Sequence, residues 1–195
     1  MKNINVLLFD DFAPLDAFGP ANVFSPLSRF FGVGIFSMKG GIVTASPGIR
    51  METRPVSEAL EDGILLIPGG FGTRKLVEDV EFIRELKELA VRAPAVLSVC
   101  TGSALLSRTG LLKGVRATSN KLSFEWVVSQ DPGVTWVRKA RWVHDGKFYT
   151  SSGVSAGIDM ALGFVRDELG SGAAESVCKG LEYVWNDDCE NDPFA

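Results

Sequence analysis

Ala95-Val96-Leu97-Ser98-Val99-Cys100-Thr101-Gly102-Ser103-Ala104-Leu105-Leu106 decides the architecture of this chain. An apolar run ends at a cysteine, and small residues able to start a helix follow at once. The pattern predicts a buried strand that turns sharply into a helix, with Cys100 at the corner. Such a corner lifts a side chain out of the sheet, as a nucleophile elbow lifts its serine. It also sets the sulfur beside unpaired backbone N–H groups and the positive end of a helix dipole, both of which favour thiolate over thiol. Gly102 lets the helix start pack close to the sheet. The competing reading is a buried structural cysteine, the commoner fate of a lone cysteine on a strand.

Outward from this segment, strands and helices alternate without a linker. Asn5–Phe9 reads as a buried first strand, followed by a loop at Asp10–Pro14 and a short helix from about Asp16, a good N-cap residue. Phe31–Met38 has a strand's alternation, and Ile42–Thr53 reads as a small hairpin broken at Pro47-Gly48. Ser57 can cap a one-turn helix. Ile64–Ile67 is a short, wholly apolar strand stopped by Pro68-Gly69-Gly70, and Lys75–Arg92 carries helical periodicity. Beyond the Cys100 helix come a short strand at Arg116–Thr118 and a helix at Phe124–Ser129. Strands at Val134–Val143 and Lys147–Ser151 flank the hairpin signal Asp145-Gly146. Helices at about Ser155–Glu168 and Ala173–Trp185 follow, then a loose acidic tail, Asn186–Ala195. Short apolar strands alternating with helices predict a three-layer α/β sandwich of flavodoxin-like type, its mostly parallel sheet extended by a small hairpin, in one domain spanning residues 1–195. In such sheets chemistry collects beyond the C-terminal strand ends. Asp10–Asp16, Pro68–Gly72 and Cys100-Thr101-Gly102 are expected there.

Composition narrows the function classes. Of 195 residues, 46% are hydrophobic and 23% charged, the balance of an ordinary globular protein. Twenty basic against 24 acidic residues give a net charge of −4, with no electrostatic footprint for nucleic acid or an anionic membrane. No apolar run is long enough to span a bilayer, and the N-terminus enters a strand with no signal-peptide pattern. Three cysteines fit neither a disulfide framework nor a zinc site. These features lead to the expectation of a reducing, cytoplasmic compartment.

Ile67-Pro68-Gly69-Gly70, Val99-Cys100-Thr101-Gly102 and Thr150-Ser151-Ser152-Gly153-Val154-Ser155-Ala156-Gly157-Ile158-Asp159-Met160 together resemble the ThiJ/PfpI superfamily, a branch of the class I glutamine amidotransferase-like fold. Asp16-Ala17-Phe18-Gly19-Pro20 is similar to its acidic motif near the first helix. The resemblance runs from Ile4 to about Trp185. A Cys-Thr-Gly elbow with Asp at position 16 looks most like the isocyanide hydratase subgroup, and also like the sensor halves of AraC-type regulators. The chain ends about ten residues beyond its last expected helix, so no helix-turn-helix module is expected to follow.

The departures count as well. Protease-like members carry histidine directly after the cysteine, where this chain has Thr101; other relatives place one where it has Ser119-Asn120-Lys121. The single histidine, His144, falls on an expected hairpin turn, where surface histidines are common. A Cys–His dyad is therefore not expected, which lowers the case for a protease, amidase or glyoxalase. Asp16 is an N-cap on the plainest reading. On the functional one it hydrogen-bonds the Cys100 sulfur, and the two share a proton because both cannot be charged at close range without cost.

Gly69-Gly70 is a tight turn on the plain reading. On the functional one the N–H groups of Gly70 and Thr101 aim at the sulfur as an oxyanion-hole-like pair. Gly69, Gly102, Ser152, Gly153 and Val154 are expected to line the pocket. Cys178 and Cys189 are expected to be structural or incidental. The resemblance implies a cofactor-free, metal-free hydratase acting on a small molecule, most simply an isocyanide, with Cys100 as nucleophile and Asp16 as proton donor. It also implies a homodimer. A ligand or redox sensor, and a glyoxalase- or amidase-like stress enzyme, are the alternatives.

Overall fold

A computed structural model describes residues 1–195. Its centre is an eight-stranded sheet ordered β3-β4-β2-β1-β5-β6-β10-β9. The strands are β1 (Lys2–Leu7), β2 (Phe31–Ser37), β3 (Gly41–Ala45), β4 (Ile49–Pro55), β5 (Ile64–Ile67), β6 (Val96–Ser98), β9 (Trp142–Asp145) and β10 (Phe148–Ser151). The six inner strands from β4 to β10 are parallel, and β3 and β9 add antiparallel edges. The remaining pair, β7 (Arg116–Ala117) and β8 (Thr135–Trp136), forms a separate parallel ribbon.

Helices α1 (Pro14–Phe24), α6 (Ala156–Leu169) and α7 (Ser171–Leu181) pack on one another as one layer; α2 (Thr73–Leu76), α3 (Val80–Arg92), α4 (Gly102–Arg108) and α5 (Phe124–Gln130) make the other. This is the expected three-layer sandwich. Helices on both faces explain why β5 is Ile-Leu-Leu-Ile, buried along its whole length, where a half-exposed strand would alternate.

Several local expectations need correction. The helix expected over Lys75–Arg92 is two helices. Asp79 interrupts it, because its carboxylate accepts from the N–H groups of Glu81 and Phe82 and so starts α3 afresh. The strand expected over Val134–Val143 is broken between β8 and β9, where Arg138 turns out to meet Glu125 at the surface. Ser57 lies inside its one-turn 3₁₀ helix (Val56–Glu58), not at its cap. The last helix ends at Leu181, because Glu182 adopts a left-handed φ of 50°.

The tail is not loose. The Cys189 carbonyl accepts from the N–H groups of Arg141 and Trp142, and Trp185 Nε1 donates to the Asp159 carbonyl at 3.1 Å. Asp192 is buried, 3.8 Å from Lys121 and 3.7 Å from Arg141. Two interior cations hold the acidic tail against the fold, because a buried charge without a partner is costly. No helix is long and apolar enough to cross a membrane.

Candidate active site

Parallel strands bring three loops to one end of the sheet. After β1 comes Asp10–Ala13, after β5 comes Pro68–Gly72, and after β6 comes Val99–Thr101. The backbone laces them together. Ala13 N donates to Gly69 O at 2.9 Å and Gly72 N to Asp11 O at 3.2 Å, and Cys100 N ties in a fourth loop, after β10, by donating to Ser152 O at 3.0 Å.

Cys100 sits at the elbow with φ 55°, a left-handed conformation that a residue with a Cβ adopts at a cost of about 1–3 kcal/mol. The carbonyl of the same residue is anchored by Ser103 Oγ at 3.0 Å and Ser119 Oγ at 2.8 Å. Ser119, from the segment where relatives place a histidine, thus supports the elbow. Gly102 is required by close approach: a Cβ there would lie 2.5 Å from the Ile67 carbonyl oxygen.

Asp16 does not cap α1. Ala13 holds the cap position, Pro14 opens the helix, and Asp16 lies in its first turn, fully buried. Its Oδ2 accepts from Gly69 N at 3.0 Å. Its Oδ1 has no hydrogen-bond partner, and the Cys100 thiol is the neighbouring side chain that acts on the carboxyl. Gly69 separates the acid from Thr101: a Cβ on it would stand 2.6 Å from Thr101 N and 2.8 Å from Asp16 Oδ2.

Electrostatics correct the expected thiolate. Burial raises the Asp16 carboxyl to about 6, opposed by the Gly69 N–H and by Cys100. Burial, then the negative charge of Asp16, push the Cys100 thiol well above the ordinary thiol range; the Thr101 N–H and hydroxyl pull it down, less strongly. Both groups cannot be charged together without cost, so near neutral pH the pair holds one proton and one negative charge between them.

Thr101 follows Cys100 directly, and its backbone N–H lowers the thiol's affinity for its proton. Gly70 N–H, expected to pair with it, is engaged elsewhere. It donates to Thr101 Oγ1 at 3.1 Å, and that hydroxyl in turn lies 3.4 Å from the Gly70 carbonyl oxygen. Thr73 Oγ1 lies 3.1 Å from Thr101 Oγ1.

The site opens into a cleft of about 310 Å³ lined by Cys100, Thr101, Gly70, Ser46, Phe71, Arg74, Asn120 and Ser123 among others. Ser152, Gly153 and Val154 line a neighbouring cavity instead, which shares Asn120 with the cleft. Ser46, Phe71, Arg74, Asn120 and Ser123 were missed, since no local pattern separates them from surface residues. His144 is on β9, stacked on Tyr149 at 3.9 Å and outside the cleft. Cys178 and Cys189 also lie outside it.

A family model described as DJ-1/PfpI matches residues 2–167. The chain belongs to the DJ-1/PfpI family. It is 33% identical over 185 residues to isonitrile hydratase of Pseudomonas putida, a match covering 93% of this chain and 78% of that one. It is 28% identical over 144 residues to the HTH-type transcriptional regulator CdhR of Pseudomonas aeruginosa, covering 73% of this chain and 42% of that one. Among solved structures, a ThiJ/PfpI family protein from Pseudomonas syringae superposes with a TM-score of 0.85 at 29% identity, over 93% of this chain and 75% of that one.

Proposed function

We propose that this DJ-1/PfpI protein is a cofactor-independent hydratase that converts an isocyanide to an N-substituted formamide. The observation that carries the reading is a fully buried carboxyl, Asp16, that has one backbone donor, no cation, one unpartnered oxygen, and the Cys100 thiol as its neighbour. Such a pair can pass a proton to and from the sulfur as bonds change. An isocyanide requires this, because its terminal carbon must accept both a nucleophile and a proton. The similarity to isonitrile hydratase supports the same assignment.

In this mechanism the sulfur attacks the isocyanide carbon while its proton passes to the Asp16 carboxylate and on to that carbon. The product is a thioimidate, R–N=CH–S–Cys100, and Asp16 is again a carboxylate. Water then adds to the thioimidate carbon and gives a proton through Asp16 to the nitrogen. The carbon–sulfur bond breaks as the remaining hydroxyl proton returns to sulfur, and R–NH–CHO leaves. The sum is isocyanide plus water. Thr101 N–H and hydroxyl stabilise charge that develops on sulfur.

The regulator likeness makes a small-ligand sensor the second reading. A homodimer and a cytoplasmic location remain part of the proposal; sedimentation velocity tests the first. The deciding assay is formamide production from simple isocyanides by wild type and Cys100→Ala. Turnover by wild type that falls more than about 10³-fold in the variant supports the reading. Equal rates, or none in wild type, would overturn it.

A further inference from the structure

Arg74 stands at the mouth of the Cys100 cleft with no counter-charge. It comes from α2, and its guanidinium carbon lies 3.5 Å from the centre of the Trp126 ring of α5. One terminal nitrogen donates to Ser123 Oγ at 3.0 Å, and Ser123 N donates to Asn120 Oδ1 at 3.0 Å. Arg74 thus bridges the two helices that bound the opening. No carboxylate is among its partners. The acid that shares the cleft, Asp11, is 4.0 Å from Lys75 and so is offset by another cation. Stacking covers the faces of a guanidinium but leaves its in-plane N–H groups free, in the fork that matches a carboxylate.

The cleft wall is mixed. Ala13, Pro14 and Phe71 supply apolar surface, and Ser46, Thr101, Asn120 and Ser123 line it with Arg74. Apolar surface with a few placed polar groups is the usual make-up of a small-molecule site. With one orienting, unpaired cation at its edge, it suits a small substrate with an apolar body and a negative end.

We propose that Arg74 is the specificity-determining residue of the cleft and that the substrate is a small isocyanide carrying a carboxylate. Arg74 holds the carboxylate and presents the isocyanide carbon to Cys100. The substrate assignment rests on the hydratase reading; the anion-binding role of Arg74 does not.

Two measurements on wild type, Arg74→Gln and Arg74→Lys test it. The first compares kcat/KM for isocyanoacetate and for its neutral methyl ester. Wild type should favour the anion, and that preference should fall about 10- to 100-fold in Arg74→Gln, chiefly through KM. Arg74→Lys should lie between, because it keeps charge but loses the fork and the stack. Equal losses for acid and ester, or no preference in wild type, would overturn the proposal.

The second measures alkylation of Cys100 by iodoacetate against iodoacetamide, followed by peptide mass spectrometry so that Cys178 and Cys189 are scored separately. The iodoacetate-to-iodoacetamide ratio at Cys100 should drop about tenfold in Arg74→Gln. A ratio that moves less than about twofold would contradict anion capture. If wild type hydrates neither isocyanide yet the ratio drops, Arg74 recognises anions and the isocyanide assignment is wrong.

Discussion

Asp16 and Asp159 are both sealed from solvent in the first turn of a helix, yet they are held in opposite ways. Asp159 meets the guanidinium of Arg141, with Nε donating to Oδ2 at 2.7 Å. Its Oδ1 accepts from Tyr183 Oη at 3.0 Å and Asn186 N at 3.1 Å. Burial pushes this carboxyl upward, with Arg141 the largest opposing influence. Asp16 has one N–H and a thiol. A carboxylate wrapped in donors and a cation is a fastener: here it pins the chain end to α6. A carboxylate left short of donors, next to a second acid, is a place where a proton can move. Burial alone does not mark a functional acid; the absence of compensation does.

Replacing each acid with its amide separates the two roles most strongly. Asp16→Asn should lower isocyanide turnover roughly 10²–10⁴-fold, the range for a general acid–base group. Its stability should move the other way. A carboxyl at about 6 in the fold and 3.8 when free favours the folded state most when protonated. That contribution is lost as pH rises from about 3.8 to 6, which amounts to up to about 3 kcal/mol above pH 6. The Asn variant lacks the loss, so its thermal midpoint at pH 8 should equal or exceed that of wild type. A lower midpoint with normal turnover would reverse the assignment of the two acids.

Asp159→Asn should do the converse. It leaves Arg141 buried with Asp192 at 3.7 Å as its nearest acid, and should cost about 3–5 kcal/mol in chemical denaturation. Limited proteolysis should then cut first within residues 182–195. An intact tail and unchanged unfolding would show that Asp159 fastens nothing. A smaller effect is expected at the sulfur's other neighbour. Thr101→Val removes a hydroxyl donor and strands the Gly70 N–H, and should slow turnover about tenfold or more, with Thr101→Ser restoring most of it. The smallest belongs to His144→Ala, whose ring packs on Tyr149 and lies 3.4 Å from Asp167. Turnover should stay within about tenfold of wild type, or 1.4 kcal/mol of barrier. A larger drop would place proton transfer outside the Asp16–Cys100 pair.

The two regions were also unequally legible. Short apolar strands ending in Gly-rich turns announce a parallel sheet, and parallel strands must deliver their C-terminal loops to one end. The nearness of Asp16, Gly69 and Cys100 was therefore readable from local pattern and resemblance. The tail was not. Its acids look solvated in sequence, and only the fold shows that Lys121 and Arg141 are interior cations that need them. Arg74 and Trp126 escaped for a related reason: they are 52 positions apart, and only the packing of α2 beside α5 makes them a stacked pair. The direction of the thiol shift was misread because a helix start is visible in sequence, whereas the depth of burial that outweighs it is not.

The most direct test of the proton-sharing pair is the pH dependence of kcat/KM for isocyanide hydration between pH 4.5 and 8. The pair works with one proton in it, so activity should rise with pH through a single ionisation near 6 and then level off. Asp16→Asn should lose that inflection along with its rate. A wild-type profile that is flat across this range, or an inflection that survives in Asp16→Asn, would contradict the account.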